Sequence, residues 1–159
     1  MKAIILDNNK ESYMALQHIL QILDDKIYEY NWLITNYECY PQNKKVNELL
    51  SSECCWISGE ELMQILLEDE FQWIWGVFSG FKQHIKREDV FCHPLPYANG
   101  NVNFWMNPVS IQHPLADIEI VAWDGQLTLC ICNNDTYIKE ISRKFNNVMD
   151  LETYNDTNV

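Results

Sequence analysis

Four groups of residues in this chain have types that could do chemistry. The first is Cys130-x-Cys132 with Cys92-His93, four nominal zinc ligands. On a strand, residues i and i+2 share a face but stand about 6–7 Å apart, since each residue rises about 3.3 Å. Structural zinc sites usually take paired ligands from a turn with C-x2-C spacing. Asp117 and Glu119, expected opposite the two strand cysteines, would either assist a metal or raise the thiol pKa values by like-charge repulsion. The spacing favours cysteines that fill a half-buried sheet face, and no metal is expected. The second group pairs Cys54, Cys55 or Cys92 with His84, His93 or His113. No G-x-S-x-G elbow or cysteine-protease signature accompanies them, so nothing local marks an activated nucleophile and no catalytic residue is expected. The third is the set of glycines at 59, 76, 80, 100 and 125, which form neither G-x-G-x-x-G nor G-x-x-x-x-G-K-S/T. Nucleotide cofactors bound through those motifs are excluded, and no cofactor is expected. The fourth is the carboxylate runs Asp24-Asp25, Glu60-Glu61 and Glu68-Asp69-Glu70, all at predicted helix ends and turns.

The elements that position these groups follow from periodicity. Residues 2–6 read as a first strand, and Asp7, Asn8 and Asn9 as a turn capping a helix over about 10–23. That helix has Tyr13, Leu16, Ile19, Leu20 and Leu23 on its apolar face and Gln17, His18 and Gln21 on the other. Tyr28 to Ile34 alternate as a strand, with a phase change near Asn36 that predicts a bulge. Lys44 to Ser52 suits one or two helical turns, and Cys54–Ile57 another strand. Ser58-Gly-Glu-Glu61 is a capping box opening a helix to about Glu68. Phe71–Phe81 satisfies both periodicities; its aromatics and glycines favour a strand. Residues 92–116 hold Pro94, Pro96, Pro108 and Pro114 and read as irregular, with a short hairpin around Asn99-Gly100. Asp124-Gly125 predicts a two-residue hairpin pairing Ala122 with Leu127, Ile120 with Leu129 and Ile118 with Ile131, which leaves Glu119 facing Cys130 and Asp117 facing Cys132. A last helix is expected over about 136–145, capped by Asn134 or Asp135. Together these give an α+β fold: a mainly antiparallel sheet with about three helices packed largely on one face. Residues 1–145 form one domain, and the polar stretch 146–159 is expected to be a frayed tail.

Composition narrows the function classes. The 159 residues are 47% hydrophobic and 13% aromatic, which excludes a disordered acidic chain despite a net charge of −12. That charge argues against nucleic acid. The N-terminal apolar run is too short for a signal-peptide core, and the 71–81 block is broken by Gln72, Gly76, Ser79 and Gly80. A cytoplasmic protein with no membrane span is therefore expected, its six cysteines reduced and structural. The charge is also segregated. Val46–Phe81 contains Glu48, Glu53, Glu60, Glu61, Glu68, Asp69 and Glu70 and no Lys or Arg; Glu88–Ile138 contains six more acids and no base; Lys82, Lys86 and Arg87 stand between. Such a surface steers basic partners.

The run Trp56-Ile-Ser-Gly-Glu-Glu-Leu62 with Phe71-Gln-Trp-Ile-Trp-Gly-Val-Phe-Ser-Gly-Phe81 resembles small bacterial proteins, some of which are similar to immunity proteins of polymorphic toxin systems. The resemblance covers residues 56–81 and carries no catalytic residues. It implies a cytosolic protein whose acidic surface occludes a basic toxin domain.

The expectation is thus a non-enzymatic cytosolic binding protein, of immunity type, that presents Glu60, Glu61, Glu68, Asp69 and Glu70 to a basic protein partner. The alternative is a small-molecule-binding protein or enzyme with a site walled by segment 92–116, contributed by His93, Trp105 and His113. A homo-oligomer joined through exposed aromatics of 71–81 is a third arrangement the sequence allows.

Overall fold

Runs of β-branched and aromatic residues become strands. The computed structural model describes residues 2–13 and 15–157. Its strands are β1 (Lys2–Asp7), β2 (Tyr30–Cys39), β3 (Cys54–Ser58), β4 (Trp73–Lys82), β5 (Ile118–Trp123), β6 (Leu127–Cys132) and β7 (Val148–Asp150). They form one sheet of order β3-β2-β4-β5-β6-β1-β7, with every neighbouring pair antiparallel. The class is therefore α+β, with β3 and β7 at the edges.

Six α-helices accompany the sheet among the described residues: α1 (Ala15–Leu23), α2 (Lys44–Leu49), α3 (Gly59–Glu68), α4 (Arg87–Val90), α5 (Asp135–Lys144) and α6 (Leu151–Thr157). The expected number of about three describes only α1, α3 and α5, which are 9, 10 and 10 residues long. Those three pack Leu16, Ile19, Leu62, Ile65, Ile138 and Ile141 against Trp32, Ile34, Phe78, Ile120 and Cys130 on one face of the sheet. The opposite face is covered too. There Ala98, Phe104 and Val109 of the irregular segment, with Leu151 of α6, lie on Ala3, Ile5, Val77, Val121, Leu129 and Ile131. Val90 and Ala116 cover Leu33 and Phe81 in the same way.

Several expectations need correction. The Asp124-Gly125 turn forms with φ of 50° and 63°, and the Gln126 N–H donates to Trp123 O at 3.0 Å. The ladder, however, pairs Trp123 with Leu127, Ile120 with Cys130 and Ile118 with Cys132, so Gln126 is an inserted bulge residue and the register moves by one. Both faces of β6 are buried, so either register buries mostly apolar pairs, although the observed one sets Thr128 opposite Ala122 and Glu119 opposite Ile131, and apolar matching alone does not select it. Glu119 consequently stands opposite Ile131 rather than Cys130.

Residues 148–150 pair with Ile4–Leu6, and α6 buries Leu151 and Asn155, so the C-terminal stretch is built into the fold instead of fraying. Its polar sequence hides this because it is anchored by side-chain hydrogen bonds: Asn155 Nδ2 donates to Phe104 O and Asn107 Oδ1, both at 3.0 Å. At the other end, residues 10–13 are turn, bend and coil rather than helix, and α1 is Ala15–Leu23. Asn8 is buried, donating to Gly125 O at 3.1 Å and accepting from Thr128 Oγ1 at 2.9 Å. Gln17 faces inward and donates to Leu66 O at 2.8 Å, while Tyr13 is exposed. Asn99-Gly100 makes a turn without flanking strands. Within Phe71–Phe81 the central strand β4 begins at Trp73, and Phe71, Trp73, Phe78 and Phe81 are core, which removes them as an exposed oligomer interface. Asn36, at φ 47°, marks the predicted phase change, where the β2–β4 register shifts.

Candidate functional site

The best-defined acidic surface is built on α3, and its capping box sets where it starts. Ser58 Oγ accepts the Glu61 N–H at 3.2 Å, and Glu61 Oε2 accepts the Ser58 N–H at 2.8 Å. Leu62, Ile65 and Leu66 turn into the core, leaving Glu60, Glu61, Gln64, Leu67 and Glu68 in solvent. Glu61 and Glu68 lie about two turns apart on one stripe. Between them Gln64 Nε2 donates to Glu68 Oε1 at 2.6 Å.

Asp69 ends the helix and plays a different part from the one expected of it. Its Oδ2 accepts the N–H groups of Gln42 and Asn43, both at 2.7 Å, and Asn43 Oδ1 caps α2 through Lys45 and Val46. Asp69 is thus an internal anchor that places α2 beside α3. The two helices flank a cleft of about 210 Å³ lined by Val46, Leu49 and Ile65, with Glu61 and Glu68 contributing carboxylates and Lys45 the one base. Glu70 is exposed beyond the helix end.

The four exposed acids lack counter-ions. Among the described residues the ion pairs are Lys10–Asp7, Lys26–Glu140, Lys44–Glu48 and Lys82–Asp117. In the basic island, Lys82 Nζ is paired with Asp117 at 3.3 Å, while the Arg87 guanidinium lies over the Phe91 ring. A helix favours acids at its start and bases at its end, each worth about 0.3–1 kcal/mol at exposed positions. α5 follows that rule, with Asp135 in its first turn and Arg143 and Lys144 in its last. α3 does not: it has Glu60 and Glu61 first, no base in its last turn, and Glu68, Asp69 and Glu70 at its end.

The alternative site does not assemble. His93 and His113 meet edge-to-face, ring centroids 5.3 Å apart, but Trp105 packs instead on Trp123 and Tyr154. His113 is fully buried and satisfied: Nδ1 accepts from Leu115 N–H at 3.2 Å, so its proton sits on Nε2, which bonds Val90 O at 3.1 Å. Burial holds its pKa below the usual histidine value, keeping it neutral.

Sequence reasoning places Glu119 beside the strand cysteines and misses what it does. It is fully buried, and its carboxylate accepts the N–H groups of Gln112 at 2.8 Å and His113 at 3.0 Å, with Ser79 Oγ at 3.3 Å. Burial pushes its pKa up to about 7, while those three hydrogen bonds oppose the rise. It clamps the irregular segment to the sheet. The available signal was a lone acid inside Ile118-Glu-Ile-Val-Ala122, a run apolar on both faces.

All six cysteines are free. Burial raises the thiols of Cys39 to about 12 and of Cys55 and Cys132 to about 11, the opposite of what a nucleophile needs. Among the described residues, no three or more His, Cys, Asp or Glu are placed to hold a metal ion, and no helix is long and apolar enough to cross a membrane. Comparison with family models, with curated proteins and with solved structures gives no match.

Proposed function

We propose that this chain is a non-enzymatic binding protein, an immunity-type inhibitor whose acidic α3 face covers a basic protein partner. The observation that carries the reading is the unpaired acidity of α3 at the end where its own dipole opposes it, beside an apolar cleft. Acids serving solubility alone have no reason to gather where they cost helix stability. Carboxylates without counter-ions steer an oppositely charged partner, and an apolar cleft beside them offers area to bury once it arrives. The resemblance of residues 56–81 to small bacterial proteins, some of which are similar to immunity proteins, points the same way. A cytoplasmic setting suits six free cysteines.

The test is affinity capture from the native host with the wild-type chain and with a Glu60→Gln/Glu68→Gln/Glu70→Gln variant. Glu61 and Asp69 are spared because they cap α3 and anchor α2. A partner with a basic patch should be retained by the wild type at low ionic strength. It should be lost at about 0.5 M salt, where the Debye length falls to a few Å, and reduced by the variant. No partner at low salt, or one held equally by both proteins, overturns the reading.

A further inference from the structure

The sheet ends at β3, and the direction of its backbone groups follows from three hydrogen bonds. In an antiparallel ladder, successive residues of a strand point their N–H and C=O groups alternately to the two neighbours. Gly80 O accepts from Asp117 N–H at 2.9 Å and Ile74 O from Gly125 N–H at 2.7 Å, so even-numbered residues of β4 face the β5 side and odd-numbered ones face β2. Phe81 therefore bonds toward β2, where it stands opposite Asn31, and Asn31 is also opposite Ser58 of β3. With Asn31 turned toward β4, Ser58 must point away from the sheet. It does: its N–H goes to Glu61 Oε2 at 2.8 Å. By the same alternation, Cys54 and Trp56 aim their N–H and C=O groups outward, while Cys55 and Ile57 bond β2.

This edge carries none of the usual guards. Cys54–Ser58 contains no Lys, Arg or Pro and pairs with β2 in unbroken register, without a bulge. The other edge, β7, has only three residues and runs directly into α6. Charge selects among possible occupants. Glu48, Glu53, Glu60 and Glu61 flank β3, and no Lys or Arg lies between Val46 and Phe81. A second copy added antiparallel about Trp56 would set Glu53 of each chain next to Gly59 and Glu60 of the other, bringing like charges together. A strand bearing Lys or Arg would meet the same carboxylates favourably.

We propose that a basic strand of the partner adds to β3, hydrogen-bonding the outward backbone groups of Cys54 and Trp56 while its cations meet Glu53, Glu60 and Glu61. This rests on the basic-partner reading above and specifies how such a partner docks.

The probes are an octapeptide of alternating Lys and Val, the same peptide N-methylated throughout, and a Glu–Val counterpart. Amide hydrogen exchange of the full chain is followed at low ionic strength. The Lys–Val peptide should slow exchange at Cys54 and Trp56 and leave Cys55 and Ile57 unchanged. The N-methylated peptide, equally charged but without donors, should lose that protection. Cys54→Pro, which removes the N–H that residue 54 would donate to the added strand, should weaken the peptide's protection of Trp56 with little change in Tm, because proline is tolerated at the first position of an edge strand. Equal binding of both Lys–Val peptides, with protection along α3 only, overturns strand addition and leaves the acidic-face reading standing. Binding of neither overturns both. Equal protection by the Glu–Val peptide overturns the charge argument. Should Cys54→Pro fail to fold, the methylated peptide still decides.

Discussion

The two faces of the sheet are covered by different means. On one, α1, α3 and α5 satisfy their own backbone groups internally and attach through apolar side chains such as Leu62, Ile65 and Ile141 on Trp32 and Phe78. On the other, residues 91–117 form few regular elements, so their backbone groups need partners from elsewhere. They find them in side chains. Glu119 takes the N–H groups of Gln112 and His113, Thr35 Oγ1 donates to Pro96 O at 2.7 Å, and Asn36 Oδ1 accepts from Ala98 and Asn99 N–H, both at 2.8 Å. The lesson is that a helical cover leaves its outer surface free for other uses, as α3 shows. An irregular cover spends its polar residues on holding itself in place.

Three variants sharpen or break this contrast. The largest effect is expected on the helical face, from Phe78→Ala. Phe78 is fully buried and stacks edge-on against Trp73 at 4.7 Å, so its loss should cost about 3–5 kcal/mol in urea unfolding. Next comes Glu119→Gln on the other face. It replaces one acceptor oxygen with a donor facing backbone N–H groups and should cost about 1–3 kcal/mol. Its pH dependence is diagnostic. The folded pKa is raised to about 7, above the unfolded carboxyl value, so the wild-type contribution is fully present below about 4.5 and is lost as pH rises through 7. The cost of Glu119→Gln measured at pH 5 should therefore exceed that at pH 8. His113, whose pKa burial lowers, gives the reverse trend in both proteins. A cost near zero at both pH values would show that the irregular face is held by its apolar contacts after all. The smallest effect should come from Glu68→Lys with Glu70→Lys. These remove acids from the unfavourable end of α3 and should raise stability by about 0.3–1 kcal/mol each, seen as a higher Tm, while weakening partner capture. A fall in Tm would mean that these acids serve the fold.

Much of the helical face was legible beforehand. The capping box at Ser58, the cap at Asn134 and the stripes of α3 and α5 are local features, and local spacing encodes them. The carboxylates of Glu60, Glu61, Glu68 and Glu70 follow directly from that helix. Asp69 does not, because its partners Gln42 and Asn43 are far along the chain. Glu119 was misplaced for a related reason. Its partners lie on the irregular segment, and its register depended on whether Gln126 was a ladder residue or a bulge.

The sequence by itself determined strands β1 to β6, the long helices, the α+β class and the location of unbalanced acidity along the chain, because period, caps and charge are properties of neighbouring residues. Tertiary structure alone decided the hairpin register, the docking of the polar C-terminal stretch, the clamp at Glu119 and the outward backbone of β3. Each of these depends on which distant segment comes to lie alongside. In a sheet buried on both faces, the apolar pattern is the same for the right answer and the wrong one.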